Sequence, residues 1–526
     1  MNFKNIYANK LQGSLPHNIL VLLFTMLCGY VCFRLLRYHL DLIFFPWPIQ
    51  FRETANLLST DLLLKGGNPY LLENQPVYTN VYGLLYNFVT YPVAAVLGPT
   101  LTVHKAVGGF FTLCSCLLVY GMLKRDGVSR VLAWGGALIV YSSLLFGKTS
   151  LAEPDSLGLF LYLLTVTLPI TFKFSNRSLL ASSLVGILGF YAKPYFIIAL
   201  PFVCLYVFFF VSRKKGVQFI FLTIVLFILT SVIVNTFFET YFYNTYLIHR
   251  IVAGANIDWM IKQWLLFEKE LEELLAATFI AAMAAILSYI ARKRCKADSS
   301  PVVNDIVASF GKISLPFFLM LAIALVFSVK LGLHNGAYMT YLFQLVAPLL
   351  VLTVFPLLGK QGGWQFLILP LVALSLLRVS GGYRDINLDF RKLDRGNWQR
   401  AKDYVATHRN ILNSAAIAPL LFEQGKPIYD SGQSEYFQHL LKTTHPDSFF
   451  PLKIENITRQ SLKYKQQIVA DIVGKRFDLL MLDRSFSSWI APTALISQYY
   501  NRRDLITLYM PHTRFMWQVD VWEPKP

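Results

Sequence analysis

Residues 213–238 read RKKGVQFIFLTIVLFILTSVIVNTFF. Arg213, Lys214 and Lys215 open the stretch, and no charged residue follows from Gly216 to Phe238. A helix of roughly 20 apolar residues is long enough to cross the ~30 Å hydrocarbon core of a bilayer. Basic residues collect at the cytoplasmic ends of such helices. The stretch therefore predicts a transmembrane helix over 217–238 with its basic end in the cytoplasm.

The whole chain has the same character. Its 526 residues carry 48 Lys+Arg against 30 Asp+Glu, a formal charge of +18, and are 55% hydrophobic but only 15% charged. The mean hydropathy is +0.48. Soluble domains average about 25% charged residues, and disorder needs low hydrophobicity, so both classes are excluded. Six cysteines, none beyond Ser380, exclude a disulfide-stapled ectodomain. Apolar runs at 17–36, 106–123, 131–147, 156–172, 179–192, 196–212, 217–238, 274–291, 314–331, 338–358 and 364–378 predict eleven spans. The first follows Lys4 and Lys10 without a small-residue cleavage site, so it reads as an uncleaved helix and not a signal peptide.

A twelfth apolar run, 81–98, would flip every later loop if it spanned. The clusters Lys124–Arg130 and Arg213–Lys215 would then face outward, against the positive-inside pattern. The run is therefore expected to lie in or dip into the outer interface. The fold class that results is an all-α polytopic membrane core of about eleven transmembrane helices, with the N-terminus in and the C-terminus out. Residues 1–378 form this core. Residues 37–105 form a first outer loop with interfacial helices, and 379–526 form a small outer α/β domain. Because the basic excess follows the positive-inside pattern, the charge calls for no nucleic acid. In the tail, 397–408 and 466–475 have helical spacing, 425–430 reads as a turn and short strand, 477–482 as a buried strand, and 513–522 as an edge strand. Neither a Gly-rich phosphate loop nor a nucleophile elbow occurs there.

Candidate chemistry collects at the predicted outer helix ends. Arg52-Glu53 follows Pro46-Trp47-Pro48 where the chain leaves the first span. A helical stretch then ends at Gly66-Gly67-Asn68-Pro69-Tyr70, before Tyr78 and Tyr82. Glu153-Pro154-Asp155 opens the fourth span, Lys193-Pro194 closes the fifth, His249-Arg250 lies in an outer loop, and His334-Asn335-Gly336-Ala337 separates the ninth and tenth. Each has a plainer reading: Glu53 as a solvated loop charge, Asp155 as a helix N-cap, and the cations as snorkelling residues. Cations on the same face as carboxylates suit a phosphate-bearing, lipid-anchored substrate, with the cations on the phosphate and a carboxylate as base.

In their order and common side, these motifs resemble the GT-C superfamily of membrane glycosyltransferases. That group includes protein O-mannosyltransferases, lipid A aminoarabinose transferases and Rgt-type bacterial sugar transferases. The resemblance implies a transferase that moves a sugar from a polyprenyl-phosphate donor to an extracytoplasmic lipid, glycan or protein acceptor, in a bacterial inner membrane. It implies Glu53 and Asp155 as catalytic residues, with Glu53 as base, although many relatives carry Asp-Glu where this chain carries Arg52-Glu53. Arg52, Lys193 and His334 would hold the donor phosphate. Glu153, Tyr78, Tyr82, His249 and Arg250 would contact acceptor or carrier. No cofactor is required by the resemblance, though some members use a divalent metal. The rival reading is a transporter or flippase, but transporters often show internal repeats and mid-membrane broken helices. No repeat is evident here, and the ionisable residues gather at helix ends.

Overall fold

The computed structural model describes residues 15–50, 52–146, 152–247, 256–270, 272, 275, 276, 279, 302–332, 344–359, 370, 372–378, 388–432, 454–483, 490–510 and 515–526. The chain is mostly helical, with one small sheet near its C-terminus. In the first part, α1 is Leu15–Ile43, α2 Glu53–Leu64, α3 Leu85–Leu97, α4 Leu101–Arg125, α5 Arg130–Phe146, α6 Asp155–Thr171 and α7 Asn176–Ala192. A 3₁₀ turn, Pro194–Ile198, leads into α8 (Ala199–Tyr206), and α9 is Arg213–Phe237. Then come α10 (Ile257–Glu270), α11 (Val302–Gly332) and α12 (Ala347–Gly359).

Among the described residues, four helical runs are long and apolar enough to cross a membrane: Asn18–Ile43, Leu101–Arg125, Pro194–Val211 and Arg213–Phe237. Shorter apolar helices include Leu85–Leu97, Arg130–Leu145, Asp155–Thr171, Leu315–Leu331 and Ala347–Pro356. Together they make this an integral membrane protein. The outward face of α9 carries Phe221 and Ile228, 70% and 57% exposed, which only lipid would favour. The expected span at 274–291 lies almost wholly outside the described residues, as do parts of 338–358 and 364–378.

The first loop is shorter than its sequence predicts. α1 continues to Ile43 because His39, which reads as a loop residue, is buried and bonded through Nδ1 to the Tyr141 hydroxyl at 2.6 Å. α4 starts at Leu101, where the Thr100 side chain accepts from the Val103 N–H. Within the loop, α3 has 13 residues. At 1.5 Å per residue it is about 20 Å long, against a hydrocarbon core of ~30 Å. α4 packs against α3, α5 and α6, and α6 runs along α7. One continuous apolar cluster joins these helices with α1, α8, α11 and α12.

The C-terminal part contains α13 (Leu388–Thr407), β1 (Ile411–Asn413), α14 (Ala418–Glu423), α15 (Ile454–Val473), β2 (Leu479–Asp483), α16 (Thr493–Tyr499), β3 (Tyr500–Met510) and β4 (Phe515–Pro524). The sheet order is β1-β2-β4-β3, with β1 and β2 parallel and the other pairs antiparallel. Alternation places Ile411, Leu479 and Met481 on the face covered by Trp398 of α13. Leu412, Leu480 and Leu482 face Ile468 and Ile472 of α15. Two expectations are corrected. The final strand is interior, since both β2 and β3 bond to it and Val519 and Val521 are fully buried. Residues 425–430 form a turn without a strand, because the Asn413 side chain binds the Tyr429 N–H and the Asp430 carbonyl in place of a ladder.

Candidate functional site

The site begins at the sharp exit from α1. Lys105 of α4 is fully buried, and its Nζ donates to the carbonyls of Phe45 and Trp47, each at 2.8 Å. This pins the turn that leads to α2. Glu53 is the first residue of α2, is fully buried, and its Oε2 accepts from the Ile49 N–H at 2.8 Å. It is not a solvated loop charge.

Asp155 is the first residue of α6, and no side chain caps that helix. Its carboxylate points elsewhere. Lys193 Nζ lies 2.9 Å from both of its oxygens, the Tyr195 hydroxyl donates at 3.1 Å, and Gln344 Nε2 donates at 2.8 Å. Tyr195 also bonds Gln344 directly. Two glycines make this meeting possible. A Cβ at Gly158 would lie 2.2 Å from the Phe196 ring, so only Gly lets the 3₁₀ turn carrying Lys193 and Tyr195 approach α6. A Cβ at Gly83 would lie 1.9 Å from the Tyr191 carbonyl, and the Gly83 N–H bonds Ala192 O at 3.1 Å. That contact sets Tyr82 beside Lys193, whose Nζ stands 4.8 Å from the Tyr82 ring centroid and 5.3 Å from that of Tyr195.

Glu153 joins the two halves. It is buried, and Asp155, Lys193, Arg52 and Glu53 all act on its charge. Its Oε1 has no hydrogen-bond partner among the described residues. Burial pushes its carboxyl well above the ordinary glutamate range, and the Asp155 charge adds to the rise. Lys193 and Arg52 oppose it. The fold thus collects two cations and three carboxylates from three distant segments.

Six of the candidate residues, Arg52, Glu53, Tyr82, Glu153, Asp155 and Lys193, meet in this cluster. Tyr78 does not: it lies beside Asp61 and Lys65 at the far end of α2, about three turns from Glu53. His249, Arg250 and His334 lie outside the described residues. Sequence reasoning missed Tyr195, Gln344 and Lys105. It also missed a buried polar network behind α2. There Asn80 Nδ2 reaches Asn56, Ser59 and Asn87 at 3.2–3.3 Å, Asn87 Nδ2 donates to Thr60 at 3.0 Å, and Thr60 meets His104 Nε2 at 2.9 Å. The spacing of Asn56, Ser59 and Thr60, on one helical face, was the available signal. Among the described residues no group of three His, Cys, Asp or Glu side chains is arranged to hold a metal ion.

No family model and no curated protein sequence matches the chain. Solved structures do. The crystal structure of ArnT from Cupriavidus metallidurans bound to undecaprenyl phosphate aligns over 94% of this chain and 98% of that one, with a TM-score of 0.51 at 11% identity. Archaeal oligosaccharyltransferase AglB from Archaeoglobus fulgidus, in complex with an inhibitory peptide and a dolichol-phosphate, aligns over 96% of this chain and 74% of that one at 12% identity. Its TM-score of 0.29 is too low to weigh. The ArnT match spans nearly the whole of both chains and shows that this chain shares the fold of that structure.

Proposed function

We propose that the chain is an integral-membrane glycosyltransferase that moves a sugar from a polyprenyl-phosphate donor to a lipid, glycan or protein acceptor outside the cytoplasmic membrane. The observation that carries this reading is the Arg52–Glu53–Glu153–Asp155–Lys193 cluster, with its three acidic residues buried, in a chain folded like one crystallised with undecaprenyl phosphate. The cell-envelope side, the bacterial inner membrane and the outer placement of 379–526 follow from the charge pattern and the GT-C likeness. The outer reading of 81–98 gives α3 a second use as one wall of a groove for the prenyl chain.

In this reaction the acceptor O–H or N–H attacks the anomeric carbon. Glu53 takes the proton. The bond from the anomeric carbon to the phosphate oxygen breaks, and the electron pair leaves with the lipid phosphate. Arg52 and Lys193 stabilise that growing charge, so no strong general acid is required. A single displacement of this kind inverts the anomeric centre. Asp155 already accepts from Lys193, Tyr195 and Gln344. A carboxylate so occupied is a weak base, and its role in catalysis is to hold Lys193 in place. Tyr82 and Glu153 contact donor or acceptor beside it.

Purified protein in proteoliposomes, given a panel of polyprenyl-phosphate sugars and an extract of candidate acceptors, tests the reading. Donor consumption by the wild type, lost in Glu53→Gln with the fold intact, supports it. Consumption that survives Glu53→Gln keeps the enzyme but removes Glu53 as base. Flux of a lipid-linked substrate without transfer moves the chain to the transporter class.

A further inference from the structure

Trp47 occupies an unusual place. It is half-buried in the turn between α1 and α2, and it packs against both the apolar cluster of the membrane helices and that of the C-terminal sheet. Its ring lies flat on Trp398 of α13, with centroids 5.7 Å apart and planes 7° from parallel. Trp398 is fully buried at the heart of the sheet's own core. Trp47 is also gripped from the membrane side, where Lys105 binds its carbonyl and Phe45 meets its ring edge-on at 5.4 Å. Two residues further on, the Ile49 N–H binds the Glu53 carboxylate. A second strut reaches the same loop from the C-terminal part: Gln460 of α15 donates to the Gln75 carbonyl at 3.0 Å.

We infer that the C-terminal part acts as the outer clamp of the carboxylate site, with Trp398 as a positioning residue that orients Glu53 through Trp47 and the Ile49 amide. This rests on the reading of Glu53 as base. The physical reason is that the chain from Phe45 to Gln50, between α1 and α2, is neither helix nor strand. A linker so free of ladder bonds takes its shape from whatever grips it. Lys105 grips the backbone below and Trp398 grips the ring above. Without the upper grip the Ile49 amide loses its fixed direction, and the carboxylate loses its fixed donor. A displacement of about 1 Å at a reacting group costs on the order of 10²-fold in rate. The larger effect belongs in kcat, since Lys193 would hold the donor phosphate from another segment, while Arg52, next to Glu53, adds a smaller rise in donor KM.

The test uses the full chain with Trp398→Ala, Trp398→Phe and Trp47→Ala. Trp47→Ala removes the other ring of the stack without opening a cavity in the sheet core, so it remains informative if Trp398→Ala fails to fold. Two readouts are taken: hydrogen exchange of peptides covering 44–58, and steady-state transfer from a polyprenyl-phosphate sugar. The inference predicts faster exchange in 44–58 for both alanine variants with the C-terminal peptides still protected. It also predicts a kcat loss on the order of 10²-fold with a smaller rise in donor KM, and recovery of most of the protection and the turnover in Trp398→Phe. Unchanged exchange in 44–58 for Trp47→Ala overturns the clamp, whatever the chain catalyses. Faster exchange with unchanged kcat overturns the positioning role of Trp398, and loosening without any wild-type turnover counts against the glycosyltransferase reading and not the clamp.

Discussion

Lys193 and Asp155 form the most deeply buried ion pair among the described residues, and their environment predicts unequal costs for breaking it. Lys193 Nζ stands 2.9 Å from the Asp155 carboxylate, with side chains 13% and 2% exposed. Removing one partner of a buried pair costs about 3–5 kcal/mol, because an uncompensated charge is left behind. Here the surroundings break the symmetry. Arg52 and Lys193 face Glu53, Glu153 and Asp155. Glu153 keeps its proton at neutral pH, so Lys193→Met leaves Arg52 alone to face the buried Glu53 and Asp155 carboxylates, whereas Asp155→Asn leaves two cations facing Glu53. The amide introduced by Asp155→Asn would also keep a polar atom toward Tyr195 and Gln344, which now bond Asp155. Lys193→Met is therefore expected near the upper end of that range and Asp155→Asn near or below its lower end. The double variant should recover about 1–3 kcal/mol relative to the sum of the singles, a coupling typical of residues in one network. Denaturant or thermal unfolding of the detergent-solubilised chain, run as a double-mutant cycle, measures all three. Additive singles, or Asp155→Asn costing more than Lys193→Met, would refute the argument that these groups act as one set.

Three further outcomes follow from the same geometry. Gly83→Ala forces a Cβ to within 1.9 Å of a backbone oxygen, so it should destabilise the chain by about 1–3 kcal/mol, the range for overpacking. It should also weaken donor binding by moving Tyr82 off Lys193, and unfolding together with donor KM would register both. Tyr82→Phe keeps the ring above Lys193 and should leave donor KM within about twofold, whereas Tyr82→Leu should raise it by several-fold, matching the loss of ~1 kcal/mol of cation–π attraction. Glu153 holds its proton up to about 8 in the folded chain, against 4.5 for an ordinary glutamate. Between those values the folded chain binds a proton that the unfolded chain has released, so this residue makes stability fall as pH rises across the window. Glu153→Gln should flatten that fall in a pH series of unfolding midpoints; an unchanged slope would show that Glu153 is ionised throughout.

Much of the site was legible because its chemistry sits where sequence is loudest. Glu153-Pro154-Asp155 and Lys193-Pro194 interrupt apolar runs, and a charge at a membrane helix end needs a reason. Arg52-Glu53 stands out for the same cause. What sequence could not show is which of these charges meet. Asp155 reads equally well as a cap, and only the approach of Phe196 to Gly158 turns Lys193 onto it. Gln344, inside an expected span, and Tyr195, just past another, show no role until Asp155 bonds both. Lys105 reads as one more loop cation, yet it is fully buried on two carbonyls. In the C-terminal part, β1 has three residues, too few for a periodic signal. The alternation of the last strand was visible, but its interior place depends on β3, which no apolar run announces.

The central claim is that the Arg52–Lys193 cluster receives a polyprenyl phosphate. It is tested most directly by photocrosslinking a polyprenyl phosphate with a reactive group next to its phosphate, followed by mapping of the labelled peptides. The account predicts labels in the segments around Glu53, Tyr82 and Lys193–Tyr195, displaced by unlabelled undecaprenyl phosphate and strongly reduced in Lys193→Met. Labels confined to the lipid-facing side of α9, or unchanged by Lys193→Met, would contradict it.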